Sequence, residues 1–180
     1  MLRELIEQDI ALFHSINELN LPHWISEMLI WSRQPLTWVP IYIFLIAFIV
    51  FNYTHEKWRM LLYAIGSVAL SDIISAKILK PTIGRLRPCH VGFDMIDRVG
   101  CSGLFSFTSN HAANHFALAT FLILLLGRDF PWIKIPLLIW AGWISFAQVY
   151  VGVHYPLDVF FGALLGILVS FFTYKLYCKV

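Results

Sequence analysis

Five stretches of this sequence are apolar over about the length an α-helix needs to cross a lipid bilayer, and they take up most of the chain. They run from about Leu36 to Phe51, Trp58 to Leu79, His111 to Gly127, Trp132 to Val151 and Pro156 to Tyr177. A hydrocarbon core roughly 30 Å thick takes about 20 such residues per crossing. With 59% hydrophobic residues, 13% charged residues and a mean hydropathy of +0.72, a chain of 180 residues is too apolar to hide its surface from water. Lipid is its solvent. The expected fold is an all-α integral membrane bundle of about five transmembrane helices, or six if the short stretch Pro22 to Arg33, which carries Glu27, also crosses. One domain covers residues 1–180, with 1–35 an interfacial segment and 36–180 the transmembrane core.

The amino-terminal segment has a character of its own. Met1 to Asn20 sets Glu4, Glu7, Asp9 and Glu18 among apolar residues at helical spacing, the reverse of a basic signal-peptide start. It reads as an amphipathic helix lying in the membrane interface. The formal net charge of +2 is small and its cations are not gathered into a tail, which argues against a nucleic-acid partner.

Alternating crossings place the loop from Lys80 to Asn110 and the short link after the fourth span on one side of the membrane. The polar residues converge there. The loop holds Lys80, Arg85, Arg87, Ser109, Asn110 and His111; the link holds His154 and Asp158, with Gln148 a turn or two below. Ionisable groups at helix mouths are costly to keep, so their concentration on one face marks a functional site. Lys80 and Arg87 supply cationic donors for phosphate oxygens, the guanidinium as a fork and the ammonium as a point charge. Ser109 and Asn110 stand where the third span begins and can aim its free N–H groups at an anion. His154 precedes Pro156, a residue suited to the first turn of a helix, and Asp158 lies four residues on, within reach of the imidazole.

Simpler roles exist for the same residues. Lys80, Arg85 and Arg87 read equally as cations snorkelling at the end of the second span. His154 with Asp158 could be a structural pair. His111 and His115 have a zinc-ligand spacing, but Ala112 stands where the hydrolytic zinc motif carries glutamate, so no metal is expected. Asp72, two turns below Lys80, either supports the site or makes a buried structural hydrogen bond. Gly162 and Gly166 form a small-residue pair suited to close helix packing.

Taken together, three segments resemble the signature motifs of the type 2 phosphatidic acid phosphatase superfamily, written K-x6-R-P, P-S-G-H and S-R-x5-H-x3-D. Here they read K-P-T-I-G-R-L-R-P from Lys80 to Pro88, T-S-N-H from Thr108 to His111 and Q-V-Y-V-G-V-H-Y-P-L-D from Gln148 to Asp158. The resemblance implies a lipid phosphate or lipid pyrophosphate phosphatase that uses no cofactor, with the bilayer and a membrane lipid as its partners and no protein partner called for; a lipid phosphotransferase of the same fold and an inactive anion-binding relative are the alternatives. It implies that His154 attacks phosphorus to form a phosphohistidine, that Asp158 orients it, and that His111 protonates the leaving oxygen and then activates water. Lys80, Arg87, Ser109, Asn110 and Gln148 would bind the phosphate. Two departures stand out: Gln148 replaces the arginine of the third motif, and Thr108 and Asn110 replace the proline and glycine of the second. Arg85 is the candidate replacement for the absent guanidinium.

Charge also orients the chain. Lys57, Arg59, Arg128, Lys134, Lys175 and Lys179 lie on the face away from the motifs, against only Glu56 and Asp129, which places that face in the cytoplasm. The site is then expected to open to the periplasm or exterior of a bacterial inner membrane. Cys89 and Cys101 share the outer loop and either form a disulfide or remain two thiols, while Cys178 lies at the opposite end.

Overall fold

The computed structural model describes residues 2–92, 94–101 and 103–179; Met1 of the expected amino-terminal helix, Phe93 and Ser102 of the expected outer loop, and Val180, beyond the expected last span, lie outside them. Helix α1 (Leu2–Asn17) and helix α2 (His23–Ser32) form the amino-terminal arm. A short turn of 3₁₀ helix, Pro35–Trp38, leads into α3 (Val39–Asn52). The core follows as α4 (Lys57–Ile83), α5 (Asn110–Leu126), α6 (Lys134–Tyr150) and α7 (Pro156–Tyr177). In lipid only a structure that pairs its own backbone groups can cross, and helices do so within one segment.

Among the described residues four helical segments are long and apolar enough to span a bilayer: Pro35–Asn52, Lys57–Ile83, Pro131–Tyr150 and Pro156–Tyr177. The fifth expected span, α5, is apolar but has 17 residues. It sits in the middle of the bundle, where Ala112, Ala113, Ala117, Ala119, Phe121 and Leu122 are buried against its neighbours. No helix of spanning length stands where the possible sixth crossing would run: α2 has ten residues, about 15 Å of helix, half of what the bilayer requires.

The second span also runs further than expected. Pro81 does not break it; the helix continues to Ile83 and ends at Gly84, whose φ of 64° is left-handed. A π-helical turn, Ile74–Leu79, comes just before, with Lys80 N–H donating to the Ser75 carbonyl five residues back. The widened turn is a local geometry that accommodates a residue with no N–H and a bulky ring.

Close packing of α7 on α5 fixes the core. A Cβ on Gly166 would run into the Ala113 carbonyl, and one on Gly162 would lie 2.6 Å from the Ser109 carbonyl, so the pair of glycines lets the two backbones approach. Lower down, Ser170 Oγ donates to the Ala117 carbonyl at 2.6 Å and meets Ser67 Oγ at 3.1 Å, tying α7, α5 and α4 with buried hydrogen bonds. Helix α3 packs differently: Ile43, Phe44, Ile46 and Phe51 face outward, as suits a helix bathed in lipid.

Candidate active site

Three elements meet at one end of this bundle: the mouth of α5, the link between α6 and α7, and the loop after α4. The loop is held as two arms. Leu86 and Phe105 form an antiparallel bridge, Arg87 N–H donates to the Leu104 carbonyl, and Ser106 N–H donates to the Arg85 carbonyl at 2.7 Å. Cys89 and Cys101 are joined by a disulfide across the arms, and Cys178 is a free, exposed thiol. The arms thereby carry Arg85 and Arg87 back over the bundle to meet Lys80. Lys80 Nζ donates to the Phe105 and Ser106 carbonyls at 3.2 and 3.1 Å, and Arg87 Nε donates to Phe105 at 3.3 Å.

His154 lies beneath these cations, 2% exposed, in the link before Pro156. Its backbone N–H donates to the Gln148 carbonyl at 3.2 Å, and Asp158 Oδ2 faces its Nδ1 at 3.6 Å. Asp158, fully buried, also caps its own helix: Oδ2 accepts from Tyr155 N–H at 2.8 Å. Burial holds the His154 imidazole down to about 4, against the pull of Asp158, and the Lys80 and Arg87 cations add to the lowering. The ring is therefore neutral near pH 7, with a lone pair available on the nitrogen turned from Asp158.

His111 opens α5, and His154 and His115 both act on it electrostatically. It stacks parallel to His115, one turn on, with ring centroids 6.4 Å apart. His115 Nδ1 donates to the His111 carbonyl at 2.7 Å, one turn toward the mouth, and its ring meets that of Trp140 edge to face. Ser109 is the N-cap, its Oγ accepting from Ala112 N–H at 3.4 Å. The N–H groups of Asn110 and His111 follow it in the first turn, where a helix offers no carbonyl partner of its own.

Three expected ligands sit differently. The Asn110 side chain turns from the mouth toward α4, donating to Asp72 at 2.7 Å and accepting from Ser75 at 2.9 Å; Asn114 donates to the same Asp72 oxygen. Asp72 therefore ties α4 to α5 behind the site. Gln148 is fully buried, its amide directed at the Ile144 carbonyl of its own helix at 3.4 Å. Arg85 is held by two carboxylates, Asp158 Oδ1 at 3.0 Å and Asp9 Oδ2 at 2.6 Å, and lies over the Tyr155 ring at 3.8 Å. Both of its terminal nitrogens are thus engaged with carboxylates in this structure.

Asp9 is a site residue that the sequence did not single out. It comes from α1, is 4% exposed, and accepts from Leu157 N–H at 2.8 Å as well as from Arg85. Burial raises its carboxyl, and the Leu157 N–H and Arg85 work in the opposite direction. Its only sequence signal is its place on the polar face of the arm.

At this end of the bundle a buried, carboxylate-backed histidine lies under two cations that, among the described residues, have no carboxylate within ion-pair distance, and beside a second histidine at a helix mouth. The sequence model described as the PAP2 superfamily matches residues 58–179, and the chain belongs to that superfamily. It is 32% identical to the lipid A 4'-phosphatase of Bacteroides thetaiotaomicron over 175 residues, covering 92% of this chain and 75% of that protein. It is also 32% identical to the lipid A 4'-phosphatase of Porphyromonas gingivalis over 155 residues, covering 78% of this chain and 61% of that one. The crystal structure of Aquifex aeolicus LpxE superposes with a TM-score of 0.69 at 30% identity, covering 92% of this chain and 94% of that chain.

Proposed function

We propose that this membrane phosphatase removes a phosphate monoester from a lipid A-type glycolipid, by way of a covalent intermediate on His154. The observation that carries the chemistry is the buried, neutral His154 between Asp158 and the cations Lys80 and Arg87. Asp158 holds the proton on Nδ1, and Nε2 attacks phosphorus; the N–P bond forms as the P–O bond to the lipid breaks. His111 gives a proton to the departing oxygen and afterwards takes one from the water that opens the phosphohistidine. Lys80, Arg87 and the N–H groups at the mouth of α5 meet the charge that grows on the phosphoryl oxygens.

Similarity over 92% and 78% of the chain to two lipid A 4'-phosphatases supports the glycolipid over the other lipid phosphates and pyrophosphates that such a pocket could take, among them undecaprenyl pyrophosphate, phosphatidylglycerol phosphate and phosphatidate. An apolar cavity of about 390 Å³ between α3, α4 and α5, lined by Ile49, Val68, Leu118 and Leu122 and reaching His115, supports entry of an acyl chain from the bilayer. The distribution of Lys and Arg supports a bacterial inner membrane with the site facing outward, and the joined cysteines of the outer loop accord with an oxidising compartment.

The test is phosphate release by the detergent-purified protein from a panel of these lipids, in EDTA, beside His154→Ala. Release is expected to be fastest from lipid A and to fall by roughly 10⁴-fold or more in the variant. A variant that keeps its turnover would remove His154 from the role of nucleophile; faster release from another lipid would replace the substrate.

A further inference from the structure

The cations at the site divide into two kinds. Arg85 is paired with Asp9 and Asp158. Among the described residues Lys80 and Arg87 have no carboxylate within ion-pair distance, and their side chains donate to backbone carbonyls. A further cation joins the unpaired group from outside the matched region. Arg33, at the end of α2, acts electrostatically on both Arg87 and His111, and the His111 ring abuts the Arg33 backbone. Its Nε is shut off from solvent with no hydrogen-bond partner, and Asp97, the carboxylate that acts on it, makes no ion pair with it. The Asp97 carboxylate accepts instead from the N–H groups of Val99 and Gly100, at 3.1 and 2.8 Å.

Arg33 is held there by its neighbours. Ser32 is buried; its Oγ donates to the Leu29 carbonyl and accepts from Trp143 Nε1 of α6 at 3.1 Å, and its carbonyl accepts from Trp38 Nε1. Leu29 in turn packs with Ala147, Tyr150, Val151 and Val153, the segment that leads into His154. So the fold holds a half-buried guanidinium, its Nε shut off from solvent, near Arg87 and His111, where like charges repel and Asp97 and Asp158 act without forming an ion pair to Arg33 or Arg87. An anion seated among these cations would relieve that repulsion directly.

We propose that Arg33 is a phosphate-binding residue, which with Lys80 and Arg87 closes on the phosphoryl oxygens of the substrate and supplies the guanidinium that position 148 lacks. The amino-terminal arm is then part of the active site. The inference rests on the phosphatase reading for its ligand, and orthovanadate, an oxyanion that mimics the phosphoryl group in transfer, serves as the probe.

The experiment measures orthovanadate affinity by calorimetry, and kcat/KM with lipid phosphate, for the wild type, Arg33→Ala, Arg33→Lys, Arg33→Gln and Arg33→Ala with Gln148→Arg. Arg33→Ala and Arg33→Gln are expected to lower both quantities by about 100-fold, and Arg33→Lys by about tenfold, since a point charge replaces a fork. Adding Gln148→Arg should recover at least about tenfold of the vanadate affinity. Vanadate affinity within threefold of wild type in Arg33→Gln overturns the proposal, even if turnover is lost. A double variant no tighter than Arg33→Ala overturns the exchange with position 148. Should Arg33→Ala fail to fold, the Lys and Gln variants decide by the same readings. A wild type that binds vanadate but frees no phosphate from any lipid would refute the lipid reading while leaving Arg33 tested.

Discussion

The region that carries the motifs and the arm that precedes it solve opposite problems. Helices α4 to α7 bury small residues against one another and bring together His111, His154, Lys80 and Arg87. Helix α3 buries little: the span Pro35–Asn52 has the highest hydropathy of the candidate spans, shared with α7, yet only 6% of it is buried within the protein. The arm is anchored at single points, Phe13 and Leu29, and from there lends the site Asp9 and sets Arg33 near it. The core helices place the motif residues, and the arm brings further charges to them. Each variant below breaks one side of that division.

The largest effect is expected in the core. Gly166→Val would drive a side chain into the Ala113 carbonyl and the Ala117 N–H of α5, backbone atoms that cannot step aside. It should lower stability by about 3 kcal/mol and most of the folded yield, as overpacking in a tight interface does. Phe44→Ala in α3, at a side chain 65% exposed, should leave the thermal midpoint in detergent nearly unchanged. Equal loss in the two variants would mean that α3 is as much a part of the packed core as α7.

Next comes the pH response of the core histidine. Because His154 is held down to about 4 by burial, with Lys80 and Arg87 adding to the effect and Asp158 opposing it, its nucleophilic form persists well into acid. The acid limb of kcat/KM for the free enzyme should fall near pH 4; an unperturbed histidine would already cost roughly 30-fold at about pH 5. The same shift affects stability. The folded value lies below the unfolded one, so this contribution is complete above about pH 6.5 and is lost as pH falls toward 4, where the buried ring must take a proton. A limb centred near 6.5 would show that His154 is solvated in the working enzyme.

How far these features could be read from the sequence follows the same division. Apolar run length located the spans, and Gly127 and Pro156 marked a helix end and a helix start that the structure reproduces. The motif residues were legible because a helix mouth and a short link place neighbours in sequence as neighbours in space. The second span, expected to end at Leu79, runs on through Pro81 to Ile83 after a π-helical turn that no pattern of residue types announces. Asn110 and Arg85 are close to the site as expected, but what each side chain touches was set by Asp72 and Asp9, 38 and 76 residues away. In the arm, Glu7 and Asp9 look alike in sequence. One is exposed and paired with Arg3; the other is buried against α7. Helical periodicity assigns a face, and only tertiary contact decides which acid on it meets a partner.

That contact can be tested with the least disruptive change. Asp9→Asn keeps the size of the side chain and an oxygen for Leu157 N–H, but removes the charge that shares Arg85 with Asp158. Arg85 is then free to lean wholly on Asp158, drawing that carboxylate's negative charge away from His154 and leaving the imidazolium of the transition state less well compensated. The expected result is a fall in kcat of about tenfold with KM almost unchanged, because the phosphate-binding cations are untouched. Asp9→Ala, which also strips the Leu157 N–H of its acceptor, should in addition cost about 1 kcal/mol of stability. If Asp9→Asn instead raises KM and leaves kcat alone, the arm acts through substrate binding, and the separation between a core that does chemistry and an arm that adjusts its charge would have to be redrawn around Arg33.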